Sequence, residues 1–419
     1  MAESYYAATA VPPPRLPVLS ENIEADLVVI GGGCTGLSAA LHAAESGLRV
    51  VLLEGGRVGW GASGRNGGQI IPGLRQGPRQ LSKRYGLEEA RRLFQLAVSA
   101  RDLVTGLVKK HSIPCDLALT GHIHAEVSAD LDALKDEAEF AAEKMDYPHL
   151  AVLDKEQLAE ELISEHYSGG LLDRKGGHFH PLNYALGLAK AAQAAGVLIY
   201  EDSIVTDLIY NDKVTTKTAL GLVTAPQGIL ACDALLGKLH PKLAGRIMPI
   251  ASHIVTTAPL PADRLPILRN RAISDSYFSV NYYRMTADNR LLFGGGERYF
   301  PRNTKQIAPI VRKPLEKIFP SLKGVEITHA WGGMVSVTTS RLPDIGRTGP
   351  LYYAQGYSGQ GAILSTLAGK LLADAAAGSR DGFDVLSRIA PPPFPGGTAL
   401  RTPLHVLGMI WYGLRDRLS

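Results

Sequence analysis

Short apolar runs and a helical apolar stripe alternate near the start of the chain. Residues 26–30 (DLVVI) are an apolar run that ends in glycines, which predicts a buried parallel strand. Residues 35–46 place Leu and Ala on one helical face, and residues 49–53 (RVVLL) predict a further strand that ends at Glu54. The order strand, helix, strand predicts a βαβ unit.

The rest of the chain changes from a helical to a mainly β pattern. Residues 80–165 carry Leu, Ala, Glu and Lys at helical spacing, with a strand expected near Ile123, whereas 249–297 alternate β-branched and aromatic residues. The polar, proline-rich residues 1–22 predict an extended surface arm. Further elements are expected at 181–195 (helix), 197–200 and 204–210 (strands), 276–283 with 290–293 (antiparallel pair), 327–337 and 351–354 (strands), 362–377 and 402–418 (helices).

A glycine motif joins the first predicted strand to the first predicted helix. Residues 31–36 (GGGCTG) fit the pattern G-x-G-x-x-G, which indicates dinucleotide binding in this strand–helix context. Gly31 would allow the tight turn, Gly33 would let the backbone approach a pyrophosphate, and Gly36 would let the helix pack on the strand. Glu54 would accept hydrogen bonds from a ribose diol.

Nucleotide-binding elements at both ends of the chain, with antiparallel material between them, predict a discontinuous domain. We expect an α/β fold with a Rossmann-like domain and a second, substrate domain built on an antiparallel sheet with helices. The first domain is predicted at 1–80, 150–240 and 325–390, the second at 81–149 and 241–324, and a C-terminal tail helix at 391–419.

Composition narrows the function classes. The 419 residues fit two or three folding units, and the net charge of +4 comes from scattered basic residues, which argues against nucleic-acid binding. Cys34, Cys115 and Cys232 have neither disulfide-framework nor zinc-ligand spacing, so no metal is expected. The chain shows no signal peptide and no apolar run of ~18–20 residues, so a cytoplasmic location is expected.

A second glycine-rich loop follows at residues 59–69 (GWGASGRNGGQ). The βαβ unit alone leaves NAD and FAD open. This loop resembles the one that, in the D-amino-acid oxidase superfamily, passes the pyrophosphate and the isoalloxazine ring of FAD. The chain is most similar to the amine-oxidising branch of that superfamily, which includes glycine oxidase and sarcosine oxidase. The resemblance implies a Rossmann-like FAD-binding domain.

The resemblance extends along the chain and narrows to the γ-glutamylputrescine oxidase group. It implies a cytoplasmic FAD-dependent amine oxidase. Such an enzyme converts a primary or secondary amine, γ-glutamylputrescine or a related polyamine or amino acid, to an imine that hydrolyses to aldehyde and ammonia, and it reduces dioxygen to hydrogen peroxide. The motifs that carry the resemblance are SYYAA (4–8), HFHPLN (178–183), DS (275–276), YYR (282–284), LLFGGGE (291–297), WGG (331–333), QGYSGQG (355–361) and RTPLHVLG (401–408).

Three features concern the cofactor environment. The chain reads ACDA at 231–234 where the group has a motif like ATNA, and Gln360 stands where relatives often carry His. Residues 333–346 contain no cysteine, so non-covalent FAD is expected. FAD contacts are expected from Gly31, Gly33, Cys34, Thr35, Gly36, Glu54, Gly55, Arg57, Gly61, Ala62, Ser63, Arg65, Asn66, Gly67, Gly68, Gln69, Val205, Gly333, Gly356, Tyr357, Ser358, Gly359, Gln360 and Gly361.

Five residues are candidates for the amine pocket: Tyr283, Arg284, Trp331, His180 and Gln360. An aromatic wall would exclude water and favour the uncharged amine, and Arg284 would bind a substrate carboxylate through a bidentate pair. For each of the first four, a packing or salt-bridge role is the alternative.

Two other functions remain open. One is an amino-acid dehydrogenase of the same fold that passes electrons to a quinone or another acceptor, and the other is a flavin-binding subunit that needs a partner. The apolar tail 404–414 is expected to dock on the body, with a subunit contact or a peripheral membrane contact as alternatives.

Overall fold

The structure is a computed structural model that describes residues 3–11, 15–298, 304–401 and 403. In these ranges the helices are α1 Tyr5–Thr9, α2 Cys34–Glu45, α3 Pro78–Tyr85, α4 Leu87–Lys110, α5 Leu131–Met145, α6 Lys155–Ala159, α7 Pro181–Ala194, α8 Pro241–Ala244, α9 Thr304–Ile318, α10 Gly361–Ala376 and α11 Asp381–Ser387. The strands are β1 Ile23–Glu24, β2 Leu27–Ile30, β3 Val50–Leu53, β4 Gln69–Ile70, β5 His122–Glu126, β6 Leu150–Asp154, β7 Gly169–Asp173, β8 Gly177–His178, β9 Leu198–Tyr200, β10 Asp207–Tyr210, β11 Val214–Lys217, β12 Leu222–Ala225, β13 Gln227–Leu230, β14 Met248–Thr257, β15 Ala272–Asp275, β16 Tyr282–Met285, β17 Leu291–Arg298, β18 Ile327–Val337, β19 Asp344–Thr348 and β20 Leu351–Gln355.

A six-stranded sheet forms the nucleotide-binding side of the molecule. Its order is β19-β20-β13-β2-β3-β9, and all neighbours are parallel except the edge pair β19–β20. Alternate residues of β2 enter different cores: Leu27 and Val29 pack with α2, α7 and α10, whereas Val28 and Ile30 pack towards the four-stranded sheet β1-β12-β11-β10. Both faces are therefore covered, which explains why the strand sequence is continuously apolar. The predicted α/β fold with its Rossmann-like βαβ unit is confirmed.

An eight-stranded sheet forms the second layer, in the order β18-β14-β17-β16-β15-β5-β7-β6. One of its faces carries an apolar core that includes Val255, Tyr283 and Phe293 and is covered by α9. The antiparallel pair predicted around residues 276–293 is present as β16 and β17, although the first strand begins at Tyr282 and not at residue 276.

The predicted domain boundaries do not follow the way the strands are divided between the two large sheets. Strands β6, β7 and β18 lie at 150–154, 169–173 and 327–337, which were assigned to the nucleotide-binding domain, but all three pair within the eight-stranded sheet. Helix α4, assigned to the substrate domain, packs on α10 and shares the core of the six-stranded sheet. Apolar spacing predicts that a segment is a strand or helix, but it does not identify the element that covers it.

The N-terminal arm is partly helical and not simply extended. Ser4 caps α1, because its Oγ accepts the Ala7 N–H at 3.1 Å, and both Tyr5 and Tyr6 are buried. The predicted tail helix at 402–418 lies outside the described residues except for Pro403. In the part of the chain that the structure describes, no helix is long and apolar enough to cross a membrane.

Candidate functional site

One cavity of about 970 Å³ lies between the six-stranded and the eight-stranded sheet. Its walls come from the carboxyl ends of β2, β3 and β13, the start of α2, the loop after β3, the turn before α10, and residues of β14, β16 and β18. The carboxyl edge of a parallel sheet is where α/β proteins of this kind bind their ligands.

The glycine motif allows the start of α2 to lie close to β2 and to the cavity. Gly31 has a φ of +110°, and a Cβ there would lie 2.6 Å from the Ala231 carbonyl oxygen. A Cβ on Gly33 would lie 2.8 Å from Ser63 Oγ, and a Cβ on Gly36 would lie 1.9 Å from the Gly31 carbonyl oxygen. Backbone atoms thus exclude a side chain at Gly31 and Gly36. The N-terminus of α2 lies directly against the cavity, where its amides and dipole favour an anion such as a pyrophosphate.

Glu54 places a carboxylate at the end of β3, where it lines the cavity. Its two oxygens accept the Gly32 N–H at 2.7 Å and the Gly56 N–H at 2.8 Å. Burial raises the pKa of Glu54, an effect that these two hydrogen bonds oppose. The side chain is thus oriented for a ribose diol, which offers two hydroxyl donors.

The second glycine loop is held in shape by Asn66. Its Nδ2 donates to the carbonyl oxygens of Ala62 and Ser63, both at 3.0 Å, and its Oδ1 accepts the Gly68 N–H at 2.7 Å. Because the asparagine satisfies the loop internally, the neighbouring backbone faces the cavity without needing a regular element. This arrangement fits a flat ligand lying along the loop.

The turn at residues 356–360, just before α10, connects the start of α10 to the start of α2. Tyr357 OH lies 2.7 Å from Thr35 Oγ1, which ties the turn before α10 to the first turn of α2. Gln360 is the N-cap residue of α10 and lines the cavity, and its buried Oε1 has no hydrogen-bond partner among the described residues. A buried polar atom of this kind implies a ligand or water partner. The pattern fits the polar edge of a flavin ring.

Most of the residues predicted to contact FAD line this one cavity. They are Gly31, Gly33, Cys34, Thr35, Glu54, Gly55, Gly61, Ala62, Ser63, Arg65, Asn66, Gly67, Gln69, Val205, Gly333, Tyr357, Ser358, Gly359, Gln360 and Gly361.

Four of the predicted FAD contacts lie behind the cavity wall. Gly36 packs on Gly31, and Gly68 lies against the Phe179 carbonyl. Arg57 forms an ion pair with Glu201 at 2.7 Å, and Gly356 donates its N–H to Asp233 Oδ1 at 2.8 Å. These four therefore support the site and do not line it.

The predicted amine-pocket residues require a larger correction, because of the five only Gln360 lines the cavity. Tyr283 is fully buried on the opposite face of β16, where its ring stacks on Phe293 with centroids 5.3 Å apart. Successive strand residues point to opposite faces. Tyr282, one position earlier, is therefore the tyrosine that reaches the cavity, and its OH lies 2.9 Å from Ser252 Oγ.

Arg284 lies below the cavity wall and not in it. Its guanidinium donates to the carbonyl oxygens of Gly67 (2.8 Å), Met285 (3.0 Å) and Phe179 (3.1 Å) and to Tyr6 OH (3.1 Å). All three guanidinium nitrogens thus donate to the protein, which leaves no free fork for a substrate carboxylate.

His180 and Trp331 belong to the same packed region. His180 caps α7, since its Nδ1 accepts the Asn183 N–H at 3.1 Å, and burial together with nearby Arg284 lowers its pKa to about 4. Trp331 packs on Tyr6 and donates its Nε1–H to the Arg65 carbonyl at 3.0 Å. Both residues hold the loop and the N-terminal helix in place.

The sequence did not single out several cavity residues on the eight-stranded sheet and its loops. They include Ser252, Ser274, Phe278, Tyr282 and Arg341. The sequence motif YYR includes Tyr282. Which of its two tyrosines faces the cavity depends on the face of the strand to which each points, and the sequence did not decide this. The others gave no signal, since isolated Ser, Phe and Arg residues in strands and turns are common.

The fold and the site define a flavin-dinucleotide enzyme, and comparison with known proteins gives its family. Residues 26–375 match the model of the family described as FAD dependent oxidoreductase (DAO), and the chain belongs to this family. FAD is therefore its cofactor. The described residues contain no group of His, Cys, Asp and Glu that could hold a metal ion.

Individual relatives show which enzymes of this family the chain resembles. The chain is 41% identical to γ-glutamylputrescine oxidoreductase of Escherichia coli strain K12, over 99% of this chain and 98% of that protein. It is 38% identical to OrdL, a probable oxidoreductase of Rhizobium meliloti, over 99% and 97%. The crystal structure of glycine oxidase from Geobacillus kaustophilus shares the fold, with a TM-score of 0.75, 22% identity and coverage of 88% of this chain and 98% of that one. The chain is thus an FAD-dependent oxidoreductase of the γ-glutamylputrescine oxidoreductase type.

Proposed function

We propose that this protein oxidises the primary amine of γ-glutamylputrescine, or of a close relative of it, with non-covalently held FAD and with dioxygen as the final electron acceptor. The observation that carries the proposal is a single cavity that joins the dinucleotide edge of one sheet to the face of the other. A substrate on the eight-stranded sheet can therefore lie against the cofactor without crossing bulk solvent. The whole-length similarity to γ-glutamylputrescine oxidoreductase supports the choice of amine.

The chain's own residues bind and orient the substrate. FAD supplies a hydride acceptor for the C–H bond next to nitrogen. Ile254, Phe278, Val280, Tyr282 and Met334 provide the apolar and aromatic part of the cavity wall. This wall suits the four-carbon chain of putrescine and, by excluding water, favours the neutral amine over the ammonium. Once hydride and a proton have left the amine, the resulting imine needs only water to hydrolyse to aldehyde and ammonia.

Arg341, in place of Arg284, is our candidate for the residue that binds the substrate carboxylate. It lines the cavity, its guanidinium lies over the Phe278 ring at 5.3 Å from the centroid, and the described residues offer it no acidic partner. Its backbone has a φ of +62°, a conformation that costs a non-glycine residue free energy and is often found at functional sites. A guanidinium stacked on an aromatic ring still presents its edge to a carboxylate.

Replacing Arg341 with Gln should raise KM for γ-glutamylputrescine by about tenfold, equivalent to ~1.4 kcal/mol, while leaving N-acetylputrescine oxidation unchanged. The reason is that only the first amine carries a carboxylate for the lost charge-assisted hydrogen bond. Steady-state kinetics on both amines measures the effect. Arg347→Gln is the matched control, because Arg347 also lies over an aromatic ring, that of Tyr352 at 4.9 Å, but is exposed and does not line the cavity. Equal KM changes for both amines in R341Q would remove Arg341 from substrate binding.

The proposed function is tested by mixing the yellow protein with γ-glutamylputrescine anaerobically and following flavin bleaching, then admitting air and measuring hydrogen peroxide. Bleaching followed by stoichiometric peroxide supports it. Bleaching without peroxide, with rapid reduction of an artificial dye, would instead identify a dehydrogenase that uses another acceptor. No bleaching with any amine would contradict amine oxidation.

Non-covalent binding of FAD has a separate test. The two cysteines that line the cavity are Cys34 and Cys232, and burial raises their pKa to about 11 and about 12. Both therefore remain thiols near neutral pH and are weak nucleophiles towards a ring carbon. Acid precipitation should release all of the flavin into the supernatant, and yellow colour in the pellet would contradict this.

A further inference from the structure

Three polar side chains on the eight-stranded sheet form a chain of polar contacts that begins in the cavity. Ser274 is buried and lines the cavity, and its Oγ lies 3.4 Å from His124 Nδ1. On the other side of that ring, His124 Nε2 lies 3.4 Å from Glu126 Oε1. His124 and Glu126 do not line the cavity, and their side chains are 40% and 23% exposed. The chain therefore leads from the cavity to the protein surface.

The sheet register brings these residues together. Strands β5 and β15 are parallel neighbours, and His124 lies directly opposite Ser274, which in turn lies opposite the cavity tyrosine Tyr282 on β16. His122, His124 and Glu126 are two residues apart and so share one face of β5. Strand geometry thus places two histidines and a carboxylate behind one cavity hydroxyl.

His122 can set the direction of the chain. Its Nε2 lies 3.0 Å from Ser274 Oγ, and burial, with a smaller effect from His124, lowers its pKa to about 3, so it is neutral near pH 7. A neutral imidazole carries one N–H. With that hydrogen on Nε2, His122 donates to Ser274, the serine hydroxyl donates to His124 Nδ1, and a serine lone pair remains for a donor in the cavity.

The proposed reaction needs a route of this kind. A primary amine with a pKa near ~10.4 is neutral in only about one molecule in a thousand at pH 7.5, yet loss of hydride from carbon requires the neutral nitrogen. No histidine among the described residues lines the cavity. The carboxylates that line it there, Glu54, Asp207 and Asp233, lie outside the eight-stranded sheet, and Glu54 and Asp233 are already hydrogen-bonded.

We propose that Ser274, His124 and Glu126 relay the proton of the bound substrate ammonium out of the cavity, with His122 as a positioning residue. This inference rests on the proposed amine oxidation. The ammonium N–H bond breaks as its proton passes to Ser274 Oγ. The serine passes its own proton to His124 Nδ1, and the proton on His124 Nε2 passes to Glu126 and solvent. No electrons are exchanged in the relay, and the amine remains with its lone pair free.

The other ionisable groups around the relay already form hydrogen bonds with residues outside it. Asp275, next to Ser274 on β15, accepts hydrogen bonds from Asn281 and Tyr167. Asp173, opposite His122 on β7, accepts the Tyr147 hydroxyl. Burial opposes the charge on Glu126, but hydrogen bonds from His124 and Ser276 hold its pKa below the usual value. Glu126 therefore remains ionised and able to take a proton from His124.

Anaerobic stopped-flow reduction of the flavin by γ-glutamylputrescine between pH 7 and 10 tests the relay. In Ser274→Ala and in His124→Asn, the apparent second-order rate constant at pH 7.5 should fall at least about tenfold. The deficit should shrink to about twofold at pH 10, where a large part of the amine is already neutral. Ser252→Ala is the matched control, because it removes a cavity hydroxyl that contacts Tyr282 and neither histidine, so its pH profile should keep the wild-type shape.

A binding measurement provides a second readout. Stopped-flow mixing with a pH-indicator dye follows the release of protons when a tert-alkyl amine, which has no hydrogen on the carbon bearing nitrogen, binds to the holoenzyme. The wild type should release its protons faster than S274A or H124N. Equal rates of proton release, or a rate deficit in flavin reduction that is the same at every pH, would overturn the relay while leaving amine oxidation in place. Absence of flavin reduction in the wild type at every pH would contradict the proposed function and the relay with it.

Discussion

We expect replacement of Arg284 with Ala to lower the free energy of unfolding by about 3–5 kcal/mol and to reduce the oxidation of all amines alike. The side chain is buried and donates four hydrogen bonds, which join the second glycine loop, the segment before α7 and the N-terminal helix. Each buried acceptor left without a donor costs roughly 1–3 kcal/mol. Because the guanidinium does not reach the cavity, the loss should not depend on whether the substrate carries a carboxylate.

Urea unfolding of the holoenzyme and kinetics with γ-glutamylputrescine and N-acetylputrescine measure these two effects. Arg388→Ala is the control, since its side chain is 63% exposed and its nearest ion pair, with Glu89 at 3.9 Å, is weak. We expect that control to change stability by less than about 1 kcal/mol. A selective loss of activity on the carboxylate-bearing amine alone, with normal stability, would return Arg284 to the substrate-binding role suggested by the sequence.

We expect replacement of Gly36 with Ala to abolish tight FAD binding. The added Cβ would lie 1.9 Å from the Gly31 carbonyl oxygen and 3.2 Å from Val29 Cγ1, so helix α2 must move away from β2. Overpacking costs roughly 1–3 kcal/mol when side chains can adjust, and here the main obstacle is backbone. The displacement would carry the amides of the α2 N-terminus away from the pyrophosphate position, and each 1.4 kcal/mol lowers FAD affinity about tenfold.

Flavin content after purification and calorimetric titration of the apoprotein with FAD measure this loss, and circular dichroism tests whether the variant folds. Gly106→Ala is the matched substitution, because Gly106 lies inside α4 and, among the described residues, no atom outside its own helical turns would lie within 4 Å of the added methyl group. It should keep its flavin and gain about 0.5–1 kcal/mol of stability from the better helix former. Wild-type flavin content in G36A would show that the helix does not need this close approach.

The sequence predicted the nucleotide-binding unit well because its signals are local. The strand, the glycines, the helix and the acidic residue occur within residues 27–54, so spacing alone specifies their geometry. The resemblance of the second glycine loop to that of the D-amino-acid oxidase superfamily implied FAD, and the family assignment confirms that cofactor. Helices and strands predicted with their own ranges, such as those at 35–46, 181–195, 351–354 and 362–377, lie within a few residues of these ranges, since apolar periodicity reports directly on which face is buried. Helices α1 and α9 were not predicted.

The residues on the eight-stranded-sheet side of the cavity were predicted less accurately than the nucleotide-binding unit. A shift of one residue along a strand moves a side chain to the other face, and this decided between Tyr282 in the cavity and Tyr283 in the core. Arg284 looked like a free cation because its partners, Tyr6, Gly67 and Phe179, are far away in the sequence.

The amino-acid sequence by itself determined the βαβ unit and the positions of its glycines, and its resemblance to a known superfamily implied the cofactor. Only the tertiary structure decided which residues of the eight-stranded sheet line the cavity. The hydroxyl of Ser274 meets His124 because β5 and β15 are parallel neighbours, although the two residues are 150 positions apart in the chain. Strand partners are selected by the packing of the whole sheet, whereas turns and helix starts are specified by adjacent residues. For that reason the cofactor-binding elements could be predicted from the sequence, whereas the cavity residues of the eight-stranded sheet could not.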